Sequence, residues 1–275
     1  MMTSLIAFTR AVPRSIDRCE LTHLARTPID YGRAVEQHAA YEDALRRAGC
    51  RVHRLPDAPA DPDSVFVEDT AVVFDDLAVI ARPGAASRRG EVEATAAALR
   101  PHRLLAFIEE PATLDGGDVL VTPGRVFVGI SGRTNLAGAD RLASLIAPLG
   151  FEVIPVRVGG CLHLKSAVTP LSDGAGRLRP ADLPPEGGSC LPLLINPSWV
   201  DRASVRGFDL IEVDPAEPAA ANVLAINGYV ICAEEHPRTR ARLEARGFAM
   251  LPVPAGELAK AEGGVTCCSV ILRTR

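Results

Sequence analysis

The chain repeats one order of secondary-structure signals along its length, and this repetition constrains its fold more than any other feature. Two short apolar runs typical of strands precede a helix-like segment, which a third apolar run follows. After Asp69 these segments are 70–74, 77–81, 90–100 and 104–108. The order returns after Asp118 (119–121, 126–130, 135–149, 151–156), after His163 (167–169, 193–195, 198–205, 209–213) and after Asn222 (223–226, 229–233, 238–246, 249–253).

A fifth copy of the unit is divided between the two ends of the chain. Its first strand is 269–272, and the remaining segments are 5–8, the helix-like 35–48 and 51–55. One such unit is too small to bury its own apolar faces, so the units must pack against one another. A unit completed by both termini favours closure of the five into a ring.

Each unit has one polar residue at an equivalent position, and the five are Asp69, Asp115, His163, Asn222 and Cys267. Successive positions lie 46, 48, 59 and 45 residues apart. The long interval contains a stretch rich in glycine and proline, from Ser172 to Pro192, which predicts a surface excursion. Equivalent positions in a closed ring face one axis. The pattern therefore predicts one cavity built by the whole chain, with residues 1–275 forming a single domain.

Composition excludes several classes of protein. A hydrophobic content of 47% with 23% charged residues is typical of a globular protein with a sizeable core. The net charge of −4, without a basic block, argues against nucleic acid as a partner. No apolar run reaches the length of a membrane span, and the N-terminus resembles a first strand more than a signal peptide. Seven cysteines without a CxxC pair predict free thiols in a cytoplasmic protein.

Cys267 and His163 are the candidates for nucleophilic chemistry. Cysteine is usually a core residue, but Cys267 follows two glycines in GGVTCCSVIL and occupies an equivalent position of the repeat. The adjacent Cys268 is expected on the opposite face of a strand, in the core. A lone histidine in a strand is usually structural, yet His163 in GGCLHLKS has the same position in its unit as Cys267. A thiol beside an imidazole is the usual form of an activated sulfur nucleophile.

Four acidic residues lie within apolar runs, where an ionised carboxylate is costly unless it meets a cation: Glu68, Asp69, Asp115 and Asp118. Such a cluster binds either a metal ion or an organic cation. A metal site would require more histidine or cysteine ligands, or an Asp-rich loop. A planar guanidinium fits better, because carboxylates accept its N–H groups in pairs.

Arg88 and Arg133 are cations beside turn residues, in RPGAASRRGEV and SGRTN. Most arginines are surface residues without a special role. In a cavity of acids, however, these two would serve to hold the carboxylate of an amino-acid substrate.

Seven segments, in order and over nearly the whole chain, resemble the dimethylarginine dimethylaminohydrolase family of the guanidine-modifying (pentein) superfamily. They are FTRAVP, VFVEDTAVV, ARPGAASRRGEV, ATLDGGDVL, GRTN, CLHLKS and GGVTCCSV. The resemblance is weakest between Ser172 and Pro192. It implies an α/β fold, a five-bladed propeller of ββαβ units closed by the N- and C-terminal segments.

The resemblance also implies an activity: hydrolysis of asymmetric dimethylarginine or monomethylarginine to citrulline and di- or monomethylamine, without a cofactor or metal, through a covalent thiouronium intermediate. Cys267 would be the nucleophile, His163 the general acid and then base, and Asp115 the residue that orients His163. The substrate-binding residues would be Glu68 and Asp69 for the guanidinium, Asp63, Arg88 and Arg133 for the amino-acid end, and the backbone of Leu21 and Ala261 for the ammonium. Leu21 would belong to a mobile loop that covers the site, and Ala261 is smaller than the residue expected there.

Several alternatives stay open at this point. Arginine and agmatine deiminases tend to have an acid two residues after the catalytic histidine, whereas this chain has Lys165, which favours the methylarginine branch. A deiminase or amidinotransferase acting on another guanidino compound is the nearest rival. The same scaffold also serves as a non-enzymatic ribosome anti-association factor, and a metalloprotein using Cys267 and His163 is a third alternative. A homodimer is compatible with the sequence, which does not fix the oligomeric state.

Overall fold

The computed structural model describes residues 4–172 and 191–274. Fifteen strands and six helices lie within these ranges. The strands are β1 Leu5–Thr9, β2 Cys50–Arg54, β3 Ala71–Val73, β4 Leu77–Ile80, β5 Leu104–Phe107, β6 Val119–Thr122, β7 Arg125–Ile130, β8 Glu152–Arg157, β9 Val168–Pro170, β10 Pro192–Ile195, β11 Asp209–Glu212, β12 Leu224–Ile226, β13 Tyr229–Ala233, β14 Ala249–Val253 and β15 Val270–Arg273. The helices are α1 Tyr31–Arg47, α2 Val92–Leu99, α3 Leu136–Ile146, α4 Leu164–Ala167, α5 Pro237–Ala245 and α6 Gly256–Ala259.

The strands of the described chain form five three-stranded sheets of one design. In each, an antiparallel pair is followed by a crossover to a third strand, which runs parallel to the second. In the sheet of β3, β4 and β5, for example, Ala71 lies opposite Ile80 in antiparallel register, and Leu77 lies beside Leu104 in parallel register. This is the predicted ββαβ unit. The prediction of a five-bladed α/β propeller is confirmed.

The two ends of the chain complete the fifth blade. β15 runs antiparallel to β1, with Phe8 opposite Val270, and β1 runs parallel to β2 after the long helix α1. The backbone N–H of Glu68 donates a 3.0 Å hydrogen bond to the carbonyl of Cys267, which joins the first blade along the chain to the last. The ring is therefore closed by hydrogen bonds between the termini and by contacts between blades.

The middle strand of each blade is the most buried, because sheet neighbours cover both of its edges and other elements cover its faces. Val126, Phe127 and Val128 of β7 have no solvent-exposed area. A strand buried on both faces is a continuous apolar run, as in a parallel sheet. The outer strand β5, by contrast, leaves Leu104 and Phe107 exposed. The apolar side chains of the blades therefore form the core of the protein around the axis.

Two local predictions were wrong. The helix predicted at 198–205 is a single 3₁₀ turn, Arg202–Val205, and Gly207 follows it in the left-handed region at φ +89°. Asp201 caps this turn by accepting a hydrogen bond from the N–H of Ala203, so the chain has too few residues left to form an α-helix. Cys267 is also not in a strand. It lies in a turn before β15, although Cys268 is buried as expected.

Most of the predicted excursion from Ser172 to Pro192 lies outside the described residues. Within 4–172 and 191–274, no helix is long and apolar enough to span a membrane.

Candidate active site

Short helical turns bring the predicted polar residues to the axis of the ring, each just before the first strand of a blade. Glu68 and Asp69 belong to the 3₁₀ turn Val67–Thr70, and Asp115 immediately precedes the turn Gly116–Asp118. His163 precedes α4 rather than lying in a strand, as the sequence had suggested. A helical turn directs its side chains to several sides, so these residues can face the axis while the following strand enters the core.

A small cavity of about 10 Å³ lies where these turns meet. This is about the space of one water molecule. Seven of the ten predicted site residues line it: Asp63, Asp69, Arg88, Arg133, His163, Ala261 and Cys267. Asp115 lies directly behind His163. Asn222, the remaining one of the five polar residues at equivalent positions of the repeat, lines a neighbouring cavity instead. Its side-chain oxygen accepts the backbone N–H of Thr266, and its amide nitrogen donates to the hydroxyl of the same residue.

Cys267 is buried, with 8% of its surface exposed. Its Sγ accepts a 3.3 Å hydrogen bond from the backbone N–H of Gly264. Burial, together with the negative charges of Glu68 and Asp69, raises the pKa of the thiol to about 12. Cys267 is therefore a protonated thiol at neutral pH.

His163 lies between two carboxylates. Its Nε2 donates a 3.0 Å hydrogen bond to Oδ2 of Asp115, and its Nδ1 is 3.7 Å from Oδ1 of Asp69. Burial lowers the pKa of the imidazole, but Asp69, Asp118 and Asp115 outweigh it and raise the pKa to about 9. His163 is consequently an imidazolium at neutral pH, and its Nδ1 lies on the side of Asp69, a residue that lines the cavity.

Asp69 is held in place by two donors besides His163. Nη1 of Arg88 lies 2.6 Å from its Oδ2, and the backbone N–H of Gly117 donates to its Oδ1 at 3.0 Å. Burial raises the pKa of this carboxyl, but His163 and Arg88 lower it to about 2. Asp69 therefore stays ionised, which supplies the negative charge that an organic cation would need.

Arg88 is almost completely buried and makes ion pairs with both Asp69 and Glu91. Burial alone would lower the pKa of its guanidinium, yet these two acids raise the pKa well above its usual value. Its Nη2 also donates to the carbonyl of Phe66 at 3.1 Å. Arg88 thus serves the packing of this wall of the cavity, and Glu91 is a partner that the sequence did not reveal.

Asp118 was one of the acids in apolar runs, but it had no predicted role in the site. Its Oδ1 accepts a 2.9 Å hydrogen bond from the N–H of Leu164, and its Oδ2 accepts one of 2.7 Å from the hydroxyl of Ser131. Burial raises the pKa of its carboxyl to about 6. Asp118 fixes the backbone that follows His163, and the repeated acid in LDGGD was its only signal in the sequence.

Glu68 does not line this small cavity. Lys165 Nζ lies 2.6 Å from its Oε1, and the hydroxyl of Thr266 donates to its Oε2 at 2.7 Å. These three residues line a separate cavity of about 210 Å³. Lys165, the residue that distinguishes this chain from the deiminase pattern, thus pairs with an acid predicted to hold the guanidinium.

The predicted residues for the amino-acid end lie on one side of the cavity. Arg133 is buried, and within the described chain its Nη1 has no hydrogen-bond partner, although Oδ2 of Asp115 is 3.8 Å away. Asp63 accepts the backbone N–H of Glu20 at 3.1 Å, and burial raises the pKa of its carboxyl. Leu21, next along the same loop, packs its side chain against the apolar cluster around α1.

Asp69, Asp115 and His163 each offer a ligand atom, and the three atoms lie within 4.8 Å of one another. As an imidazolium, His163 has no free nitrogen lone pair to offer a metal ion, and Oδ2 of Asp69 is already bonded to Arg88. The donor set therefore matches an organic cation next to the thiol better than a metal centre.

The chain is similar to known proteins of one family. Residues 24–167 match the family model described as N,N dimethylarginine dimethylhydrolase, eukaryotic. The N(G),N(G)-dimethylarginine dimethylaminohydrolase of Streptomyces coelicolor is 40% identical, over 92% of this chain and 91% of its own. The enzyme of the same name from Pseudomonas aeruginosa is 33% identical, over 98% of this chain and 99% of its own.

A solved structure gives the same result. A mutant of the Pseudomonas aeruginosa enzyme complexed with citrulline superposes with a TM-score of 0.84 and 30% identity, covering 99% of this chain and 100% of that one. The similarity extends over nearly the full length of both chains and includes all five blades. The chain belongs to the N(G),N(G)-dimethylarginine dimethylaminohydrolase family.

Proposed function

We propose that this protein hydrolyses Nω-methylated arginine to citrulline and di- or monomethylamine. The observation that carries the proposal is the meeting of a buried thiol, an imidazolium and an ionised carboxylate around one small cavity: Cys267, His163 and Asp69. The Pseudomonas aeruginosa relative of known structure was complexed with citrulline, the expected product.

The first chemical step would be attack by Cys267 on the guanidinium carbon. The substrate cation would lie against Asp69 and offset the negative charges of Asp69 and Glu68, which raise the pKa of the Cys267 thiol. The pKa of the thiol then falls, and its proton leaves to solvent. A sulfur–carbon bond then forms. Nδ1 of His163 gives its proton to the methylated nitrogen, the carbon–nitrogen bond breaks, and the amine departs.

The second step would be hydrolysis of the thiouronium intermediate. Neutral His163 takes a proton from a water molecule, whose oxygen adds to the former guanidinium carbon. The carbon–sulfur bond breaks and the added oxygen loses its remaining proton to solvent, so that citrulline forms and Cys267 leaves as a thiolate. Asp115 keeps Nε2 of His163 protonated through both steps, and Nδ1 is therefore the nitrogen that exchanges the proton.

The amino-acid end of the substrate would lie against Arg133 and Asp63. A buried guanidinium nitrogen without a partner is costly, and a substrate carboxylate would satisfy Nη1 of Arg133. Arg88 would add positive charge behind this carboxylate, although its own bonds go to Asp69 and Glu91. The carbonyls of Leu21 and Ala261 would accept from the ammonium group.

We further propose that residues 1–275 act as one catalytic domain, since separate blades contribute to one cavity. The six cysteines of the described ranges are free and buried, which supports a reducing compartment such as the cytoplasm as the place of action.

The test is incubation with asymmetric dimethylarginine, monomethylarginine and arginine, with measurement of citrulline and of the amine released. We expect citrulline and dimethylamine from the first substrate and none from Cys267→Ser. The neighbouring Cys268→Ser is the matched control and should keep activity if it folds. Ammonia release from arginine alone would identify a deiminase instead, and loss of activity with removal of a bound metal would contradict the thiol mechanism.

A further inference from the structure

One side chain holds the loop that passes over the cavity. The carboxylate of Glu262 accepts the backbone N–H groups of three consecutive loop residues: Thr22 at 3.0 Å and 3.1 Å, His23 at 2.6 Å and Leu24 at 2.6 Å. Glu262 itself lines the cavity of about 10 Å³. A carboxylate that collects three N–H groups from a segment without regular structure fixes the direction of each peptide in it.

The first of these bonds determines the direction of the Leu21 carbonyl. In the described chain the cis peptide is Glu110–Pro111, so the peptide between Leu21 and Thr22 is trans. In a trans peptide the C=O and the N–H point in opposite directions. Since the N–H of Thr22 points at Glu262, the carbonyl of Leu21 points away from it.

The backbone of Glu262 determines the direction of a second carbonyl. Glu262 has φ +58°, a left-handed conformation that is rare for a residue with a side chain. This turns the chain sharply after the buried Ala261, which lines the cavity. Among residues 4–172 and 191–274, the carbonyls of Leu21 and Ala261 accept no hydrogen bond. Both stay available as acceptors for a ligand.

We propose that Glu262 is a positioning residue that aims the two carbonyls at the substrate's α-ammonium group and sets the requirement for that group. This inference rests on the proposed function, since it assigns an amino-acid substrate to the cavity. Glu262 acts through the two peptides next to it, and its negative charge strengthens the attraction for an ammonium held by them.

The other carboxylates that hold this loop bond to its ends and lie next to neither carbonyl in sequence. Asp63 accepts the N–H of Glu20, and Glu257 accepts the N–H of Asp30 at 2.9 Å. Glu257 is therefore the matched control: it anchors the same loop without directing the Leu21 peptide.

Closure of the cavity gives Glu262 a second measurable effect. A space for one water molecule cannot admit an arginine derivative, so the loop must move away before substrate enters. This movement of the loop requires that the three hydrogen bonds from its N–H groups to Glu262 break. Removal of the carboxylate should therefore expose Cys267, which is 8% exposed in the closed form.

The experiment compares kcat/KM for asymmetric dimethylarginine with kcat/KM for its analogue that lacks the α-amino group. In Glu262→Ala we expect the preference for the amino acid to fall by about tenfold or more, the effect of losing hydrogen bonds to a charged group. Glu262→Gln, which keeps an acceptor oxygen but loses the charge, should show a smaller fall. Glu257→Ala should keep the wild-type preference within about twofold.

A second readout does not depend on turnover: the rate at which iodoacetamide alkylates Cys267, followed by mass spectrometry of its peptide. Glu262→Ala should raise this rate, and Glu257→Ala should not raise it equally. An unchanged substrate preference in both Glu262 variants would overturn the inference. If Glu262→Ala does not fold, Glu262→Gln decides in the same way. If the wild type hydrolyses neither compound, the proposed function fails, and alkylation of the Glu262 variants at the wild-type rate would refute the loop closure separately.

Discussion

Nε2 of His163 donates a 3.0 Å hydrogen bond to Oδ2 of Asp115, a carboxylate with no solvent-exposed area. The other oxygen of Asp115 accepts the backbone N–H of Gly84 at 2.9 Å, so the carboxylate cannot rotate freely. The backbone N–H of Asp115 donates a 3.0 Å hydrogen bond to the hydroxyl of Thr134, which fixes this residue further. This pair fixes both the orientation of the imidazole and the nitrogen that carries its permanent proton.

Asp115→Asn should therefore lower kcat strongly with little change in KM. An amide can donate a hydrogen bond to Nε2, which would favour the wrong tautomer and remove a charge that raises the pKa of His163. We expect a decrease in kcat of about 100-fold or more, the range of general acid–base catalysis. Citrulline formation measures it. Asp43→Asn, at an exposed surface pair with Arg46, is the control, and an equal effect in both variants would contradict the role of Asp115.

The pH dependence should reveal that the thiol is activated by substrate. Catalysis needs Cys267 as thiolate and His163 as imidazolium, but their pKa values are about 12 and about 9, so both are protonated in the free protein at neutral pH. The free protein must lose one proton from this pair to reach the active form. The lower of the two pKa values, about 9, governs this loss, so kcat/KM should rise with pH up to about 9.

Once the substrate cation is bound, the pKa of the thiol falls. The acid limb of kcat should therefore lie at lower pH than the acid limb of kcat/KM. Initial rates from about pH 6 to about pH 10 measure both. Coincident acid limbs would show that the cation does not activate Cys267.

The repeat could be predicted because strands and helices leave periodic signals. The strands on either side of the turn after Ile226, for example, were predicted at 223–226 and 229–233 and lie at 224–226 and 229–233. The short turns before each blade could not be predicted, since three or four residues such as Gly116–Asp118 contain no period. The prediction of a helix at 198–205 was wrong for a related reason. The apolar residues that suggested a helix are packed into the core, but the backbone that carries them forms a turn.

The candidate site could be predicted in part. Residues that face the axis share a position in the repeat, which is why Cys267 and His163 stood out among seven cysteines and six histidines. The partners of those residues depend on contacts between distant segments. No motif in the sequence distinguishes Glu91 or Glu262 from other acidic residues. Only the folded chain reveals that Glu91 pairs with Arg88 and that Glu262 bonds the loop over the cavity.

Arg88→Met should destabilise the fold more than loss of an average ion pair. Asp69 and Glu91 would become buried carboxylates without their cation, which costs about 3–5 kcal/mol in the free energy of unfolding. Urea denaturation measures this, with Arg141→Met, at a half-exposed pair with Glu109, expected to cost about 1 kcal/mol or less. Adding Glu91→Leu to Arg88→Met should recover part of the loss. Equal effects of the two arginine variants would rule out the buried pairing as a source of stability.

Gly117→Ala should disable the site while most of the fold survives. A Cβ at this position would lie 2.7 Å from Oδ1 of Asp69 and 2.7 Å from Nδ1 of His163, too close for either atom to stay where it is. Both side chains are buried and bonded, so they cannot swing into solvent, and the nitrogen that delivers the proton must move.

We expect kcat/KM to fall by about 100-fold, the effect of a displacement of about 1 Å in a catalytic group. The free energy of unfolding should fall by only about 1–3 kcal/mol, as for an overpacked core site. Gly132→Ala is the matched control, because a Cβ there meets nothing within 4 Å, and it should leave both quantities unchanged. Full activity in Gly117→Ala would mean that Nδ1 of His163 and Asp69 need not hold the positions they have here, which the proposed proton transfer requires.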